Sequence, residues 1–472
     1  MKEVQKKNFL NKKEILFQDI PVSDDERIQK LFTIHTDIEN MTLKFKIKCK
    51  VKNKILKPIY HLIANISPSM AIKLKVYVYE LRNTLFEFRN KKDPESLKIM
   101  ANAKILIDCT NISKCDIGTG IQRVVKNILF NLPDNFIASR LYSYNKLITN
   151  KSLQKKGITS EEYLLDIKNT EKIVFLDSSW ENKDDFYKII SSNKICTYFV
   201  VYDILPIKYP MFFNNKLFVK IFTDWHDMAL KYGNNIICIS QSVADDIVKY
   251  FQEKNIFRRE PLKIYNFPLG ANFIDRKNIN TKFVRRALKN FVSNKTFLMV
   301  GTIEPRKGHM IALKAIINLV NQGENVKLLI IGKNGWKSDE FTEFISKSEY
   351  NKINIMWIED ASDYELIWAY QNSCALIAAS LDEGYGLPII EAAQFKLPII
   401  CSDIPVFHEV TQNLADFFKP FDSDDLALTI KKWIKNNRHP NSSMIRLYTW
   451  EEAANIFADI VNDKIVPYKI LK

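Results

Sequence analysis

Residues 375–391 read ALIAASLDEGYGLPIIE, and this segment gives the strongest indication of the fold. It begins with the apolar run Ala375–Ser380, and a continuous apolar run is typical of a strand buried in a parallel sheet. Two glycines follow, and a helix is predicted to begin near Leu387-Pro388 because proline suits the first helical turn. A strand that leads through a glycine turn into a helix is the repeating unit of a doubly wound α/β sheet.

The same unit recurs in two series along the chain, with room for a helix between successive apolar runs. The first series is Lys104–Asp108, Ile173–Asp177, Cys196–Val201 and Ile236–Ile239, and the second is Phe297–Gly301, Lys327–Gly332, Ile353–Trp357, Ala375–Ser380 and Pro398–Cys401. Two series predict two doubly wound, Rossmann-like domains with parallel sheets. We place them at residues 101–285 and 286–472, after a basic extension at residues 1–100.

Charge is distributed unevenly along the 472 residues. The whole chain has a net charge of +15, and residues 1–100 contain 21 Lys and Arg against 12 Asp and Glu. Such a basic segment suits nucleic acid, anionic lipid or an anionic substrate, and charge alone does not choose among them. The sequence has no apolar run of membrane-spanning length, no secretory signal and no paired cysteine spacing. We therefore expect a cytoplasmic protein whose extension allows peripheral contact with the inner face of the membrane. The alternative is an ordinary helical or strand-bearing extension that packs on the first domain with its lysines solvated.

Anion-binding features follow two strands of the second series. Arg306 and Lys307 come just before the predicted helix His309–Val320, where cations oppose the helix dipole, so a neutralising anion such as pyrophosphate is expected. The backbone amides at Tyr385–Leu387 would also point outward from a helix N-terminus. The alternatives are a solvated basic turn for the first segment and an ordinary strand–turn–helix for the second.

These two segments together resemble the retaining glycosyltransferases of family four, which have the two-domain GT-B fold. Glu383 and Glu391 match the E-x7-E signature of that family. Other similar pieces are GTIEPRKGHMIALKAI, LLIIGKNGW, CSDIPVFHEV, GTGIQRVVKNI, VYDILPIKYP, IICISQSVADDI and NFPLGANF. The resemblance covers roughly residues 104–462. GIQRV and YDILPIKYP look most like the branch that builds bacterial surface polysaccharides, often with mannose.

The resemblance implies a role for each matching residue. Lys307 and Arg306 would hold the donor diphosphate and stabilise the departing nucleotide, and Glu383 would contact hydroxyls of the donor sugar. Glu391 would accept hydrogen bonds from the ribose. The remaining donor contacts would come from Gly301, Thr302, Tyr385, Gly386 and Leu387, and from Gly118, Thr119 and Gly120 across the cleft.

One position departs from the family. Many members have a histidine at a strand end of the N-terminal domain, facing the donor sugar, and here that neighbourhood offers Asp203. We predict that Asp203 contacts the donor or the acceptor, with a strand-end cap as the alternative. His309 and His408 are interpreted as helix-terminal residues, and no histidine is assigned as a base.

Asp422-Ser423-Asp424 matches the D-x-D pattern of metal-dependent sugar transferases. It precedes the helical run Leu426–Lys435, so we interpret Ser423 or Asp424 as a helix cap and expect no metal and no other cofactor.

The co-substrate would be a nucleotide-sugar, with a GDP-sugar favoured over a UDP-sugar, and the acceptor would be a glycan or a lipid-linked glycan. The alternatives are an epimerase or phosphorylase on the same fold, and a non-catalytic protein that binds nucleic acid through the extension. We expect no nucleic-acid partner, because no recognised module with interleaved aromatics is found.

Overall fold

The computed structural model describes residues 98–100, 103–114, 119–143, 146–150, 162–165, 167–178, 180, 194–213, 215–271, 283–436 and 438–472. Residues 1–97 of the predicted extension, and Gly118 of the predicted donor site, lie outside the described residues.

The described strands are β1 (Lys98–Met100), β2 (Ile105–Asp108), β3 (Phe136–Ser143), β4 (Lys146–Asn150), β5 (Glu162–Leu165), β6 (Lys172–Phe175), β7 (Cys196–Val201), β8 (Asn235–Cys238), β9 (Leu262–Asn266), β10 (Thr296–Val300), β11 (Lys327–Ile331), β12 (Ile355–Ile358), β13 (Ala375–Ala378), β14 (Ile399–Ser402), β15 (Asp416–Phe418) and β16 (Lys469–Leu471). The described helices are α1 (Thr110–Lys114), α2 (Gly120–Asn131), α3 (Leu205–Lys208), α4 (Lys216–Tyr232), α5 (Gln241–Glu253), α6 (Arg286–Phe291), α7 (His309–Asn321), α8 (Asp339–Lys347), α9 (Asp363–Asn372), α10 (Leu387–Gln394), α11 (Pro405–Thr411), α12 (Ser423–Lys435) and α13 (Trp450–Val461).

The first sheet has the order β1-β5-β4-β3-β2-β6-β7-β8-β9-β16. Its central strands from β3 to β9 are parallel, as the continuous apolar runs predict. The sheet is mixed at its flanks, because β4 pairs antiparallel with β3 and β5, and β16 pairs antiparallel with β9. The strand β1 also shows that this sheet includes residues 98–100, ahead of the predicted boundary at residue 101.

The second sheet is parallel throughout, with the order β12-β11-β10-β13-β14-β15. The chain moves outward from β10 to β12 and then returns to place β13 on the other side of β10. The strands β10 and β13 therefore flank the point where the strand order reverses, and ligands of doubly wound sheets bind at this point. The prediction of two Rossmann-like sheets is confirmed.

The second sheet is covered by helices on both faces, which explains its continuous apolar strands. Leu298 and Leu376 are fully buried on one face, in a cluster that includes Ile390 of α10, whereas Phe297 and Ala375 pack on the other face with Ala312 of α7. Neighbouring side chains of one strand thus enter opposite hydrophobic layers, as the two-residue period of a strand requires.

The end of the chain returns to the first sheet. Helix α13 packs beside α2. Phe457 of α13 also contacts Phe267, which follows β9, at 5.3 Å between ring centroids. The strand β16 then pairs with β9 at the edge of the sheet. The predicted second domain at 286–472 is therefore wrong for its last segment, because pairing with β16 covers the open edge of β9. The chain passes between the sheets twice, and the two crossings touch where Ala271 N donates to Tyr448 O at 2.9 Å.

Candidate active site

Two loops meet at the carboxyl ends of β10 and β13. The loop after β10 contains a 3-10 turn, Pro305–Lys307, and Leu381 N of the other loop donates to Arg306 O at 2.8 Å. Gly308 allows this approach, since its φ of +71° lies in the left-handed region and a Cβ there would overlap the carbonyl oxygen of Ala379. The two predicted donor segments are thus brought side by side.

Glu383 lies at the centre of a charged cluster formed by these loops. Lys307 Nζ forms an ion pair with Glu383 Oε1, Arg306 lies 3.3 Å from Glu383 Oε2, and Ser380 Oγ donates to Oε1 at 2.7 Å. Burial alone would raise the pKa of Glu383, but the charges of Lys307 and Arg306 prevail and lower it to about 2. Glu383 is therefore ionised near neutral pH.

A second carboxylate binds the same guanidinium. Glu304 Oε1 lies 2.7 Å from Arg306, and burial raises the pKa of Glu304 although both neighbouring cations oppose the shift. The cations before α7 are therefore neutralised by two carboxylates of the protein, whereas the sequence led us to expect an anionic ligand for that purpose. Among the described residues, Glu304 Oε2 and Arg306 Nε are buried without a hydrogen-bond partner, so the cluster is not fully satisfied by its own groups.

Glu391 lies one turn inside α10 and is almost completely buried. Arg123, from α2 of the first sheet, forms an ion pair with Glu391 Oε1, and Tyr370 OH donates to Oε2 at 2.6 Å. Burial raises the pKa of Glu391, and Arg123 and Tyr370 oppose that shift. Both carboxylate oxygens thus have protein partners, so a ribose would share or displace them. Arg123 and Tyr370 were not predicted as site residues, and Arg123 could have been suspected only from its place in GIQRV.

Two helix N-termini face each other across the cleft. Thr119 caps α2 in a capping box with Gln122, and a Cβ on Gly120 would lie 4.0 Å from Leu387 Cδ1 at the start of α10. Gly386, the N-cap of α10, has a φ of +98°. The predicted contacts Thr119, Gly120, Gly386 and Leu387 therefore come together in space, and the two positive helix ends favour an anion between them.

The other predicted donor contacts lie at the same strand ends. Gly301 ends β10 with a φ of +148°, and its N–H donates to Ile331 O at 3.0 Å, while Thr302 is exposed just beyond it. The Tyr385 side chain is buried, with its hydroxyl 3.5 Å from Leu269 O, so only its backbone remains for a ligand.

Asp203 follows β7 and lies across the cleft from Arg306. Its Oδ1 accepts a hydrogen bond from Leu205 N at 3.0 Å, which forms an Asx turn that caps the end of β7, as the alternative interpretation held. It also lines a cavity together with Arg306. Burial raises the pKa of Asp203, and the charge of Arg306 opposes this shift. One carboxylate oxygen of Asp203 can therefore keep this backbone hydrogen bond while the other contacts a ligand.

That cavity has a volume of about 450 Å³ and is walled largely by apolar and aromatic side chains. Most of its wall comes from the first-sheet half, between β7 and α4, whereas Arg306 and Trp336 come from the other half. Trp336 also closes the cleft, because its Nε1 donates to Phe212 O at 2.9 Å. None of its aromatic residues was assigned to the site from the sequence.

Polar contacts join the two halves behind the site. Lys208 of α3 forms ion pairs with Asp246, at 2.8 Å, and with Asp382 of the β13 loop. Ser240 Oγ donates to Gly384 O at 2.8 Å, and Glu409 accepts hydrogen bonds from two backbone N–H groups at the start of α5. These contacts hold the second-sheet loops against the strand ends of the first sheet.

The D-x-D pattern has a structural role. Asp422 caps α12 by accepting hydrogen bonds from Asp424 N at 3.1 Å and Asp425 N at 3.0 Å, so the cap is Asp422 and not Ser423 or Asp424 as predicted. Within the described ranges, no group of three or more His, Cys, Asp or Glu is arranged to hold a metal ion. In the same part of the chain, every helix is too short or too polar to span a membrane.

Two Rossmann-like halves with a cleft between them are the architecture of the two-domain GT-B fold. The fold is similar to that of the Anabaena protein Alr3699/HepE in complex with UDP and glucose, with a TM-score of 0.52 at 13% identity, covering 76% of this chain and 97% of that one.

Sequence comparisons give more specific similarities than the fold does. Residues 280–446 match the family described as Glycosyl transferases group 1. It is 32% identical over 383 residues to the serotype-specific mannosyltransferase WbdA of Escherichia coli, covering 75% of this chain and 46% of that protein. It is 29% identical over 231 residues to the O-antigen chain mannosyltransferase RfbU of Salmonella typhimurium, covering 49% and 59%. The chain spans about half the length of the curated relatives it matches.

Proposed function

We propose that the chain is a retaining mannosyltransferase that takes the sugar from a nucleotide donor, GDP-mannose in preference to a UDP-sugar, and adds it to a glycan or lipid-linked acceptor of a surface polysaccharide. The observation that carries this proposal is the cluster of Arg306, Lys307 and Glu383 where β10 and β13 diverge. The names of the mannosyltransferase relatives support the choice of sugar.

The proposed chemistry needs fixed positive charge at one point. The bond between the anomeric carbon and the β-phosphate oxygen breaks, and its electron pair stays on that oxygen. The acceptor hydroxyl oxygen forms the new bond to the anomeric carbon, and its proton passes to the departing diphosphate. Arg306, Lys307 and the ends of α2 and α10 would stabilise the negative charge that develops, which is the task a metal performs in other transferases. No cofactor is needed in this scheme.

The test is product analysis with GDP-mannose, UDP-glucose and UDP-N-acetylglucosamine, each with and without a short mannoside acceptor. We expect GDP and an α-linked mannoside from the GDP-mannose reaction with acceptor. Epimerised nucleotide-sugar without acceptor, or sugar phosphate in the presence of inorganic phosphate, would instead favour an epimerase or a phosphorylase. A β-linked mannoside, identified from the one-bond C1–H1 NMR coupling of the anomeric carbon, would contradict retention.

We further propose that this cytoplasmic enzyme meets its acceptor at an anionic membrane through residues 1–100. The proposal is supported by the charge of that segment, since each cation near an anionic leaflet contributes on the order of 1 kcal/mol. The full chain should pellet with anionic vesicles and not with neutral ones, and salt should release it. Binding should weaken in the triple variant Lys44→Gln, Lys46→Gln, Lys48→Gln. Equal binding by that variant would place the membrane contact elsewhere.

A further inference from the structure

The cavity beside Asp203 presents aromatic rings in two groups. Trp180 lies edge-on to Phe218 and Phe222, at 5.5 and 4.9 Å between ring centroids, and Phe213 stacks on Trp336 at 5.9 Å with 28° between the ring planes. Phe218 and Trp180 are only half-buried, so part of their ring surface is open to an occupant. Ring faces carry partial negative charge and attract the C–H groups of a saturated ring.

His226 supplies a polar atom on the same wall. Its Nδ1 lies 2.8 Å from Phe222 O, and because a carbonyl can only accept, the proton of the neutral ring sits on Nδ1. Burial lowers the pKa of His226 to about 4, so the ring is neutral near pH 7. Nε2 is then a hydrogen-bond acceptor, and no donor to it is found among the described residues.

Charge divides the cavity into two ends. Arg306 is the one cation among the described residues that line it, and it belongs to the charged loop cluster. A diphosphate would occupy that end, and its sugar would extend from there towards the aromatic end. The second reactant must approach the anomeric carbon from the remaining side, which is the wall built by α4 and Trp180. The described residues of this wall include no cation, and the wall suits a neutral ring with hydroxyl groups.

We infer that the aromatic end of this cavity is a binding subsite for the terminal sugar ring of the acceptor glycan, with Phe218 and Trp180 against the ring and His226 Nε2 accepting a hydrogen bond from one of its hydroxyls. The inference rests on the proposed transferase function and adds to it the class of acceptor, a neutral hexose at the end of a chain. His226 and the aromatic residues would then determine acceptor specificity. Their positions are scattered along the sequence, so the sequence does not indicate this role.

The first test measures acceptor use by Phe218→Ala and Trp180→Ala, with GDP-mannose as donor and a short mannoside as acceptor. We expect kcat/KM for the acceptor to fall at least tenfold, while the KM for the donor and its slow hydrolysis without acceptor stay within twofold. Phe218→Tyr keeps a ring face and should restore acceptor use. Phe257→Ala, which removes an aromatic ring that is 83% exposed, is the matched control and should leave every parameter unchanged.

The second test uses two isosteric replacements of His226. His226→Asn keeps a donor near the Nδ1 position but removes the acceptor at Nε2, whereas His226→Gln places an oxygen near Nε2. We expect His226→Asn to lose at least tenfold in acceptor kcat/KM and His226→Gln to retain most of it. Equal losses in both variants, with equal falls in melting temperature, would indicate a packing role only and overturn the assignment.

A binding measurement separates this inference from the proposed function. Saturation-transfer NMR with methyl α-D-mannopyranoside, in the presence of GDP, needs no turnover, and signal should appear with wild type and vanish with Phe218→Ala. GDP binding without any sugar signal overturns the subsite while the transferase proposal stands. If 1-octanol, which has the alkyl chain without a sugar ring, competes as well as octyl mannoside, the cavity binds alkyl chains and the inference is wrong. Sugar binding without transfer from any tested donor would contradict the proposed function and leave the subsite.

Discussion

The second sheet contributes charged groups to the cleft, whereas the first sheet contributes mostly aromatic rings. The charged end is compact, because Arg306, Lys307 and Glu383 come from two loops that follow adjacent strands. The aromatic end is assembled from Trp180, from α4 and from the far side of the cleft. The difference follows from the ligands we propose: a diphosphate needs fixed charge at one point, while a sugar needs surfaces around it.

The largest expected effect is at the charged end. Lys307→Ala should lower kcat by on the order of 100-fold to 1000-fold, because it removes charge stabilisation of the leaving diphosphate. Lys314→Ala, an exposed lysine on the neighbouring helix α7, is the matched control. Steady-state transfer assays with saturating donor would measure both. A change confined to the KM of the acceptor would contradict the division between the two ends.

Nucleotide binding should be affected next. Glu391→Gln should weaken GDP binding about tenfold while lowering kcat little, because the proposed ribose contact is made equally in the ground state and the transition state. Isothermal titration with GDP gives the dissociation constant, and Glu340→Gln on the exposed start of α8 serves as the control. If the affinity for GDP is unchanged and only the melting temperature falls, Glu391 does not contact the ribose and its role is limited to the ion pair with Arg123.

Stability of the charged end should depend on pH in one direction. The folded-state pKa of Glu383 is about 2, below the ordinary value of 4.5. Its ionised form therefore stabilises the fold above pH 4.5, by on the order of 3 kcal/mol, and this contribution is lost as the pH falls towards 2. The difference in melting temperature between wild type and Glu383→Gln should shrink between pH 7 and pH 3.5. A difference that does not vary with pH would show that the variant acts through packing.

The smallest expected effect concerns metal. With cationic side chains at the leaving group, transfer should survive EDTA, and Asp422→Asn should be silent because asparagine also caps helices. Asp422→Ala should lower the melting temperature slightly and leave kcat unchanged. Loss of transfer on chelation, restored by manganese or magnesium, would require a site that neither end of the cleft explains.

The charged end of the cleft was more predictable from the sequence than the aromatic end. Strand, turn and helix signals lie in contiguous segments, so the parallel sheets and the Arg306-Lys307 pair were predictable from local pattern, whereas Glu383 was assigned through the signature of the resembling family. The pairing of Arg123 with Glu391 joins residues 268 positions apart, and no local signal encodes it.

Two further features were hidden for related reasons. His226 lies on the apolar face of α4, where a histidine reads as an ordinary core residue, and only the cavity distinguishes it. The strand β16 has three residues, too few for a period-two pattern, so the return of the chain to the first sheet required the tertiary pairing with β9.

That return has a consequence for how the molecule can be divided. Because Ala271 and Tyr448 are hydrogen bonded where the crossings meet, the halves share two covalent links that lie side by side. Cutting the backbone once between Ala271 and α6 would leave a C-terminal fragment that still carries α13 and β16, its own pieces of the first-sheet half. The protein is thus suited to reassembly from two separately produced fragments, with recovered transfer activity reporting that the cleft has formed again.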